Sequence, residues 1–302
     1  MTIGASELAT VLGVSPYGSQ VDLWARLRGL LPRYDSIDTP DTSAGSVAEA
    51  GILLRYARER GVPVMPGPQL PAPGYVHPTE PWLAVRPDGL TPDRTVEAKA
   101  PRELWPEIPA HYVVQIVAQI AVAHTLQGWC RGDLAAHARA ARRGDDYWRV
   151  WTIDRDPAVE EYVLRTGRDW YRRHVEDGTP PACDGRRATS EALARIWRPD
   201  DTVRDATPED VADLHALLSV RAALEDLEGR RRELEQRIQA RMGAATVLRR
   251  DGDTVLTWRP VRARETIDAR RLRAERPDVA AAYTTRGEAS RRFALTTNEE
   301  TP

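Results

Sequence analysis

The chain contains almost no lysine. Lys99 is the only one, so all but one of the 43 basic residues are arginine. Arginine serves solubility and ion pairing, but its guanidinium group is a large planar fork, whereas lysine carries a compact ammonium group on a flexible stem. A single remaining lysine therefore suggests a site that needs the amine. The alternative is that this lysine was retained by chance. The residues around Lys99 decide between the two interpretations.

Cysteine and long apolar runs are scarce as well. Cys130 and Cys183 are the only cysteines and lie far apart, which excludes a four-cysteine zinc or iron–sulfur site within one chain. We expect both to be reduced and structural. No stretch approaches the length of a membrane span, and the N-terminus has no basic leader followed by an apolar core. We therefore expect no membrane association and a cytoplasmic protein, in the host cytoplasm if a phage encodes it.

Excess positive charge is also missing. The 302 residues carry a net charge of -2 and are 41% hydrophobic and 29% charged, which is typical of a soluble globular protein. Nucleic-acid binders usually show a basic balance, so any DNA contact must come from local patches. Three arginine clusters are candidates for such patches: Arg26, Arg28 and Arg33; Arg139, Arg142 and Arg143; and Arg172 with Arg173.

Hydrophobic periodicity predicts a mixed α/β domain over residues 1–200. We expect helices from Ser6 and over residues 21–27, 45–60, 112–126 and 156–175, and strands over 82–90, 95–101, 129–136 and 147–153. A polar segment near 198–206 and a Thr207-Pro208 helix start mark a boundary. Residues 205–302 then form a C-terminal segment, with a heptad-like helix over 211–242 and a small hairpin turning at Asp251-Gly252.

One short segment, RPDGLTPDRTVEAKAP, gathers charged groups. Asp88 closes one predicted strand, and Glu97 and Lys99 lie two residues apart on the next, so strand alternation points both toward one face. Two carboxylates suit Mg²⁺ or Mn²⁺, and the Ala98 carbonyl is a further oxygen. A metal fits this set better than an acid/base pair, with Lys99 holding the attacking water or a phosphate oxygen. The segment therefore predicts phosphodiester hydrolysis.

Alone, this pattern is also found in ordinary hairpins, where an Asp-Gly turn precedes a strand with an exposed Glu and Lys. Three further features favour the nuclease interpretation. The lysine is unique, its strand is followed by a helix with Tyr112 and Gln115, and Glu49 lies among apolar positions of an earlier helix.

Together these features resemble the phage-type recombination exonucleases, the YqaJ-like and lambda-exonuclease-like branch of the PD-(D/E)xK nucleases. The resemblance spans about residues 3–185 and is carried by five segments in order. They are IGASELATVLGVSPY, GSVAEAGILLRYA with its G-x-x-x-E pattern, HPTEPWLAVRPDGL with VEAKAP, HYVVQIVAQIAVA with its Y-x-x-Q pattern, and DWYRRHVEDGTPP. The resemblance implies a restriction-endonuclease-like core, a central mixed sheet flanked by helices, to which the long C-terminal helix and hairpin are appended.

The resemblance also implies roles for particular residues. Asp88 and Glu97 would bind the metal together with the Ala98 carbonyl, and Glu49 would be a ligand or orient a second metal. Lys99 would position the attacking water. Without the family, Glu49 is as readily interpreted as a surface carboxylate of its helix.

Further residues would contact the strands or the substrate. Gln115 would hold the active-site strands or the DNA, with Tyr112 beside it, and Ser6 would contact the terminal phosphate, although helix capping explains Ser6 as simply. Arg86 replaces the small residue usual in the family, and no arginine precedes Ile3 where the family often has one. Either Arg86 binds the phosphate or the chain recognises a different form of DNA.

The implied activity is that of an enzyme degrading linear double-stranded DNA from the 5′ end, often as a ring-shaped homo-oligomer that supplies single strands to an annealing protein. An endonuclease or a structure-selective nuclease with the same site is the alternative. A non-catalytic DNA-binding or assembly module, acting through the helix over 211–242, is a third hypothesis. An RNA substrate is disfavoured on family grounds only.

Overall fold

The computed structural model describes residues 1–33, 40–67, 74–140, 146–197, 202–263, 266–285 and 293–295, with side chains of the third helix from residue 47 onward. The chain divides into two compact units, Met1–Arg198 and Pro199–Pro302. Among the described residues, no helix is both long and apolar enough to cross a membrane.

The first unit contains six α-helices and eight strands within its described part. The helices are α1 (Ala5–Val11), α2 (Gln20–Leu27), α3 (Pro40–Arg60), α4 (Ala110–Gln127), α5 (Pro157–Trp170), which continues into a π-helical segment (Tyr171–Glu176), and α6 (Arg187–Ile196). The strands are β1 (Ile3–Gly4), β2 (Met65–Pro66), β3 (Tyr75–Val76), β4 (Leu83–Val85), β5 (Gly89–Leu90), β6 (Thr95–Lys99), β7 (Arg131–His137) and β8 (Trp148–Asp154).

The larger sheet has the strand order β2-β5-β6-β7-β8, in which only the β6–β7 pair is parallel. Apolar residues of α3 pack against Val96 and Ala98 on one face. On the opposite face, Ile116 and Ile120 of α4 pack against Leu134, which is the register partner of Glu97. Helices thus flank a central mixed sheet on both sides, and the predicted α/β fold class is confirmed.

The prediction of a single strand over residues 82–90 was wrong. Its first part, β4, pairs with β1 and β3 in a separate three-stranded sheet, whereas β5 pairs with β2 and β6 in the larger sheet. Pro87 lies between the two parts, and proline cannot donate a ladder hydrogen bond. Pro92 and Asp93 form a turn between β5 and β6, in which the Thr91 amide donates to the Arg94 carbonyl at 3.0 Å. Asp88 therefore lies where the chain passes between two sheets.

Other differences concern element boundaries. Helix α3 begins at Pro40, whereas the sequence predicted a helix over residues 45–60. Proline is well tolerated in the first helical turn, where its missing N–H needs no partner; residues 35–39 lie outside the described part. Strands β1, β2 and β3 have two residues each, too few for an alternating pattern. They and α6 were not predicted.

The second unit contains α7 (Pro208–Met242), β9 (Val247–Arg250), β10 (Asp253–Thr257), α8 (Ala269–Glu275) and α9 (Pro277–Ala282). The predicted helix start is confirmed, since the Thr207 side chain accepts the Asp210 amide as an N-cap. The predicted hairpin turn is confirmed too, with positive φ at both Asp251 and Gly252, as a type I′ turn requires.

The heptad-like apolar residues of α7 are largely exposed. Leu224, Leu227 and Leu234 are 54%, 58% and 48% exposed, and Met242 alone is buried among the helix residues. The helix therefore does not bury these apolar residues against the hairpin that follows it.

The buried carboxylate of Asp133 connects α3 to the larger sheet through a hydrogen bond with Tyr56. This contact leads to a prediction about stability. Asp133 of β7 is fully buried, and its Oδ2 accepts a hydrogen bond from the Tyr56 hydroxyl at 2.6 Å and a long one from Arg94 at 3.5 Å. Tyr56→Phe removes only the hydroxyl and leaves a buried carboxylate poorly paired. We expect the free energy of unfolding, measured by urea denaturation, to fall by about 1–3 kcal/mol.

The matched control is Tyr162→Phe. Tyr162 is an exposed residue of α5, and its substitution should change stability by less than about 0.5 kcal/mol. An unchanged urea midpoint for Tyr56→Phe would show that this hydrogen bond does not stabilise the fold.

Candidate active site

An open cleft of about 870 Å³ lies at the C-terminal end of β6. It brings together seven of the residues predicted from sequence: Ser6, Arg86, Asp88, Glu97, Lys99, Tyr112 and Gln115. It is also lined by residues that were not singled out, among them Ser15, Tyr17, Arg102, Trp105 and His111. Residues from α1, from the chain between the two sheets, from β6 and from α4 therefore meet in one place.

Glu97 is at the centre of a buried hydrogen-bond network. Its side chain is 2% exposed, and its Oε1 accepts hydrogen bonds from Lys99 Nζ at 2.5 Å and from Gln115 Nε2 at 2.6 Å. Its Oε2 accepts one from Gln119 Nε2 at 2.7 Å. A buried carboxylate is costly unless it is well paired, and these three donors fix the direction of both oxygens.

The Lys99 ammonium group lies between two carboxylates and an aromatic ring. Its Nζ is 2.5 Å from Glu97 Oε1, 4.0 Å from Asp88 Oδ2 and 5.5 Å from the centre of the Tyr112 ring. Burial by itself lowers the pKa of Lys99, but the charges of Glu97 and Asp88 outweigh burial and raise the pKa above its usual value. The amine therefore stays protonated and acts as a fixed positive charge.

Asp88 is oriented by the main chain of the neighbouring strand. Its Oδ2 accepts the Ala98 amide at 2.8 Å. Burial, followed by the charge of Glu97, raises the pKa of Asp88 to about 8. In an extended strand the N–H and C=O of one residue point to the same edge, as hydrogen-bonded strand pairs show. The Ala98 carbonyl is therefore directed to the side of Asp88, away from the ladder with β7.

Glu49 does not line the cleft. It lies beside a separate groove of about 330 Å³ that includes Leu53 and Val64. Glu49 is nevertheless close enough to interact electrostatically with residues of the cleft. Burial and the charge of Glu97 raise the pKa of Glu49, whereas the charges of Lys99 and Arg86 lower it. A role for Glu49 as a ligand or orienter stays a prediction.

Gln119 was missed by the sequence analysis. It is fully buried and lies one helical turn after Gln115, so the two amides share a face of α4 and reach the same carboxylate. Two glutamines four residues apart in the otherwise apolar run VVQIVAQIAVA are a signal that could have identified it.

Aromatic side chains line one side of the cleft. The rings of Tyr17 and His111 meet edge to face at 5.5 Å, and those of His111 and Tyr112 are 4.0 Å apart. Trp105 packs on Tyr112 at 5.1 Å. Burial, then the neighbouring Tyr17, raises the pKa of Tyr112 to about 12. Tyr17 and His111 were missed because they lie far apart in sequence and meet only in the folded chain.

Ser6 and Arg86 lie at the cleft with their polar groups available. The N-cap of α1 is Gly4, whose amide donates to Glu7 at 2.7 Å, so the capping interpretation of Ser6 was wrong. Arg86 is exposed, and no hydrogen bond or ion pair joins its side chain to another described residue. Both side chains can therefore meet a ligand in the cleft.

The predicted arginine patches differ in accessibility. In the first cluster, Arg26 pairs with Asp22, Arg28 donates to the Val175 carbonyl, and Arg33 pairs with Glu7. The side chains of this cluster are therefore engaged in contacts within the protein. Of the second cluster Arg139 lines the cleft, while positions 142 and 143 lie outside the described residues. Both arginines of the third, at 172 and 173, are exposed.

Residues 1–125 match the family model of the YqaJ-like viral recombinase domain. The predicted resemblance to the YqaJ-like family is confirmed over this range. The matched range contains Glu49, Asp88, Glu97, Lys99 and Gln115, and all of these except Glu49 line the cleft. No curated protein sequence matches the chain.

Several solved structures resemble the chain at low sequence identity. The alkaline exonuclease LHK-Exo from Laribacter hongkongensis is 20% identical, with a TM-score of 0.47, and the match covers 58% of this chain and 88% of that one. A phage-related exonuclease from Haemophilus somnus is 9% identical, with a TM-score of 0.42, covering 59% of this chain and 97% of that one.

The cleft has a donor set that fits one hard divalent cation. Asp88 Oδ1 has no hydrogen-bond partner among the described residues, Glu97 uses three of its roughly four lone-pair positions, and the Ala98 carbonyl points to their side. Burial, followed by the charge of Glu97, raises the pKa of Asp88, and a bound cation would stabilise the buried negative charge and offset the repulsion between the two carboxylates. Among described residues, no three acidic, histidine or cysteine side chains cluster to form a larger metal site.

Proposed function

We propose that this chain is a metal-dependent deoxyribonuclease that degrades linear double-stranded DNA as an exonuclease, from 5′ to 3′, in phage-type recombination. The observation that carries the proposal is the Lys99 ammonium group held between Asp88 and Glu97 in an open cleft. The match to a viral recombinase domain supports it. The names of the structurally similar proteins, an alkaline exonuclease and a phage-related exonuclease, agree with it.

Lys99 supplies positive charge where a phosphodiester gains negative charge. Because its amine stays protonated, it can hold a phosphate oxygen or orient the attacking water by hydrogen bonding, without acting as the base. Its three donors can serve Glu97 and a substrate oxygen together. The Tyr112 ring beside the ammonium limits the directions that the lysine side chain can take.

The carboxylates are oriented before substrate arrives. Gln115 and Gln119 hold Glu97, and the Ala98 amide holds Asp88, so little reorganisation is needed during the reaction. Asp88, Glu97 and the Ala98 carbonyl would hold Mg²⁺ or Mn²⁺, which when bound supplies a Lewis acid that polarises the scissile phosphate.

The rim of the cleft offers groups for the rest of a DNA strand. Arg86 can pair with a phosphate through its guanidinium fork, and the exposed Ser6 hydroxyl can donate to the same kind of oxygen. The Tyr17 ring is 77% exposed and is held against His111. An exposed aromatic ring of this kind can stack on an unpaired base.

The proposal is tested by digesting linear duplex DNA, labelled at the 5′ or the 3′ end, beside covalently closed circular DNA. Each substrate is incubated with Mg²⁺ and with chelator. Loss of linear DNA from the 5′ end alone, abolished by chelator, is the expected result. Cleavage of the closed circle would replace the exonuclease by the endonuclease alternative. Binding of DNA without cleavage under any divalent metal would favour the non-catalytic module.

Two features of the proposal follow from the resemblance alone. These are assembly into a ring-shaped homo-oligomer and cooperation with a single-strand annealing protein. A cytoplasmic location belongs to the same proposal. The physiological metal, Mg²⁺ or Mn²⁺, is left open by the donor set because both ions prefer hard oxygen ligands.

A further inference from the structure

A narrow crevice lies beside Gln119, the residue that donates a hydrogen bond to Glu97. It has a volume of about 50 Å³ and lies between α4 and the strands on which Val85, Leu90 and Thr95 lie. Most of its lining is apolar, but two buried side-chain oxygens have no hydrogen-bond partner among the described residues: Thr95 Oγ1 and Gln119 Oε1. Leaving a buried oxygen without a partner costs about 1–3 kcal/mol. Both belong to side chains that line this crevice.

The orientation of the Gln119 amide is fixed by Glu97. Its Nε2 donates to Glu97 Oε2 at 2.7 Å, and a flipped amide would instead place its carbonyl oxygen against the carboxylate. The amide oxygen must therefore point away from Glu97, where it needs a donor. Thr95 lies two residues before Glu97 on β6, on the same face, and has a hydroxyl that can donate or accept.

We propose that an ordered water in this crevice bridges Thr95 and Gln119 and thereby makes Gln119 a positioning residue for Glu97. About 50 Å³ exceeds the roughly 10–15 Å³ that one water needs, and a buried water requires two to four polar partners. The crevice extends to Leu126, a partly exposed residue, so water has a route of entry. The resulting chain runs from Thr95 through water and Gln119 to Glu97.

This inference rests on the proposed function only for its catalytic consequence. If Glu97 acts in hydrolysis, removing the Gln119 amide should lower kcat by roughly 10–100-fold, the usual loss when an outer partner of a metal ligand is removed. Thr95→Val keeps the shape of the side chain and removes the hydroxyl. It should lower kcat by a smaller factor and leave KM unchanged, because neither residue lines the cleft.

The decisive experiment is a crystal structure of the full chain, at a resolution that shows ordered water, for the wild type and for Thr95→Val. We expect density within hydrogen-bonding distance of both oxygens in the wild type, and its loss in the variant. A dry crevice, or a Gln119 amide turned away from Glu97, would overturn the proposal. This result is independent of nuclease activity, so failure of the water site and failure of the proposed function are distinguishable.

Kinetics provide the second measurement, with Gln119→Leu, Thr95→Val and a control. The control is Thr125→Val, also on α4, because the Thr125 hydroxyl donates to the Ala121 carbonyl of its own helix. Lower kcat at constant KM in the first two variants, with a wild-type value in the control, supports a positioning role. Wild-type kcat in Gln119→Leu, or equal losses in all three variants, contradicts it.

Discussion

Lys99→Met should reduce DNA cleavage by roughly 10²–10³-fold, the loss usual when one preorganised donor to a developing negative charge is removed. Methionine keeps the length of the side chain but has no charge and no donor. The variant leaves Asp88 and Glu97 without their shared ammonium group. Because the site then becomes more negative, its affinity for a divalent cation should not fall.

This combination separates a catalytic effect from misfolding. We would measure single-turnover cleavage of linear duplex and, on the same sample, binding of Mn²⁺ by electron paramagnetic resonance. Lost cleavage with retained Mn²⁺ binding is the expected result. Lys99→Arg keeps the charge in a larger fork and should recover only part of the activity. The control is Arg187→Ala on α6, whose side chain is exposed and pairs only with Glu191 among described residues. Cleavage by Lys99→Met at the wild-type rate would contradict the role of the amine.

The part of the site that was predictable depends on local geometry. Strand alternation fixes Glu97 and Lys99 on one face once β6 is recognised, and their side chains indeed meet at 2.5 Å. The family resemblance implied that Gln115, with Tyr112 beside it, lies at the active-site strands, and both residues line the cleft. Because Lys99 is the only lysine in the chain, the composition alone indicated that a functional site lies near this residue.

The remainder depends on packing between distant segments. The interaction of Asp88 with the Ala98 amide requires the chain to leave one sheet at Pro87 and enter another, and a single strand was predicted there. Tyr17 reaches His111 because α1 packs on α4, which no local pattern reveals. Glu49 lies in a groove beside the cleft for the same reason: the register of α3 on the sheet is set by its apolar neighbours, Ile52, Leu53 and Tyr56.

Asp88→Asn should abolish cleavage while making the metal-free protein more stable. The asparagine oxygen can still accept the Ala98 amide, so the loop keeps its place while one negative charge disappears. We expect Mn²⁺ affinity to fall by at least roughly 10–100-fold, since loss of even an outer partner of a metal ligand has that effect. Unlike Lys99→Met, this variant should therefore lose cation binding and cleavage together.

The stability gain follows from the direction of the pKa shift. Burial and the charge of Glu97 raise the pKa of Asp88 to about 8 in the folded chain, whereas the usual value is near 3.9. Between these values the folded state binds more protons than the unfolded state, so the aspartate reduces stability progressively as pH rises toward 8. Asparagine does not titrate. In chelator, the melting temperature of Asp88→Asn should exceed that of the wild type by more at pH 8.5 than at pH 5. Equal melting temperatures of Asp88→Asn and the wild type at both pH values would show that burial and the charge of Glu97 do not raise the pKa of Asp88 in the folded protein, and would remove the electrostatic reason for a cation in this cleft.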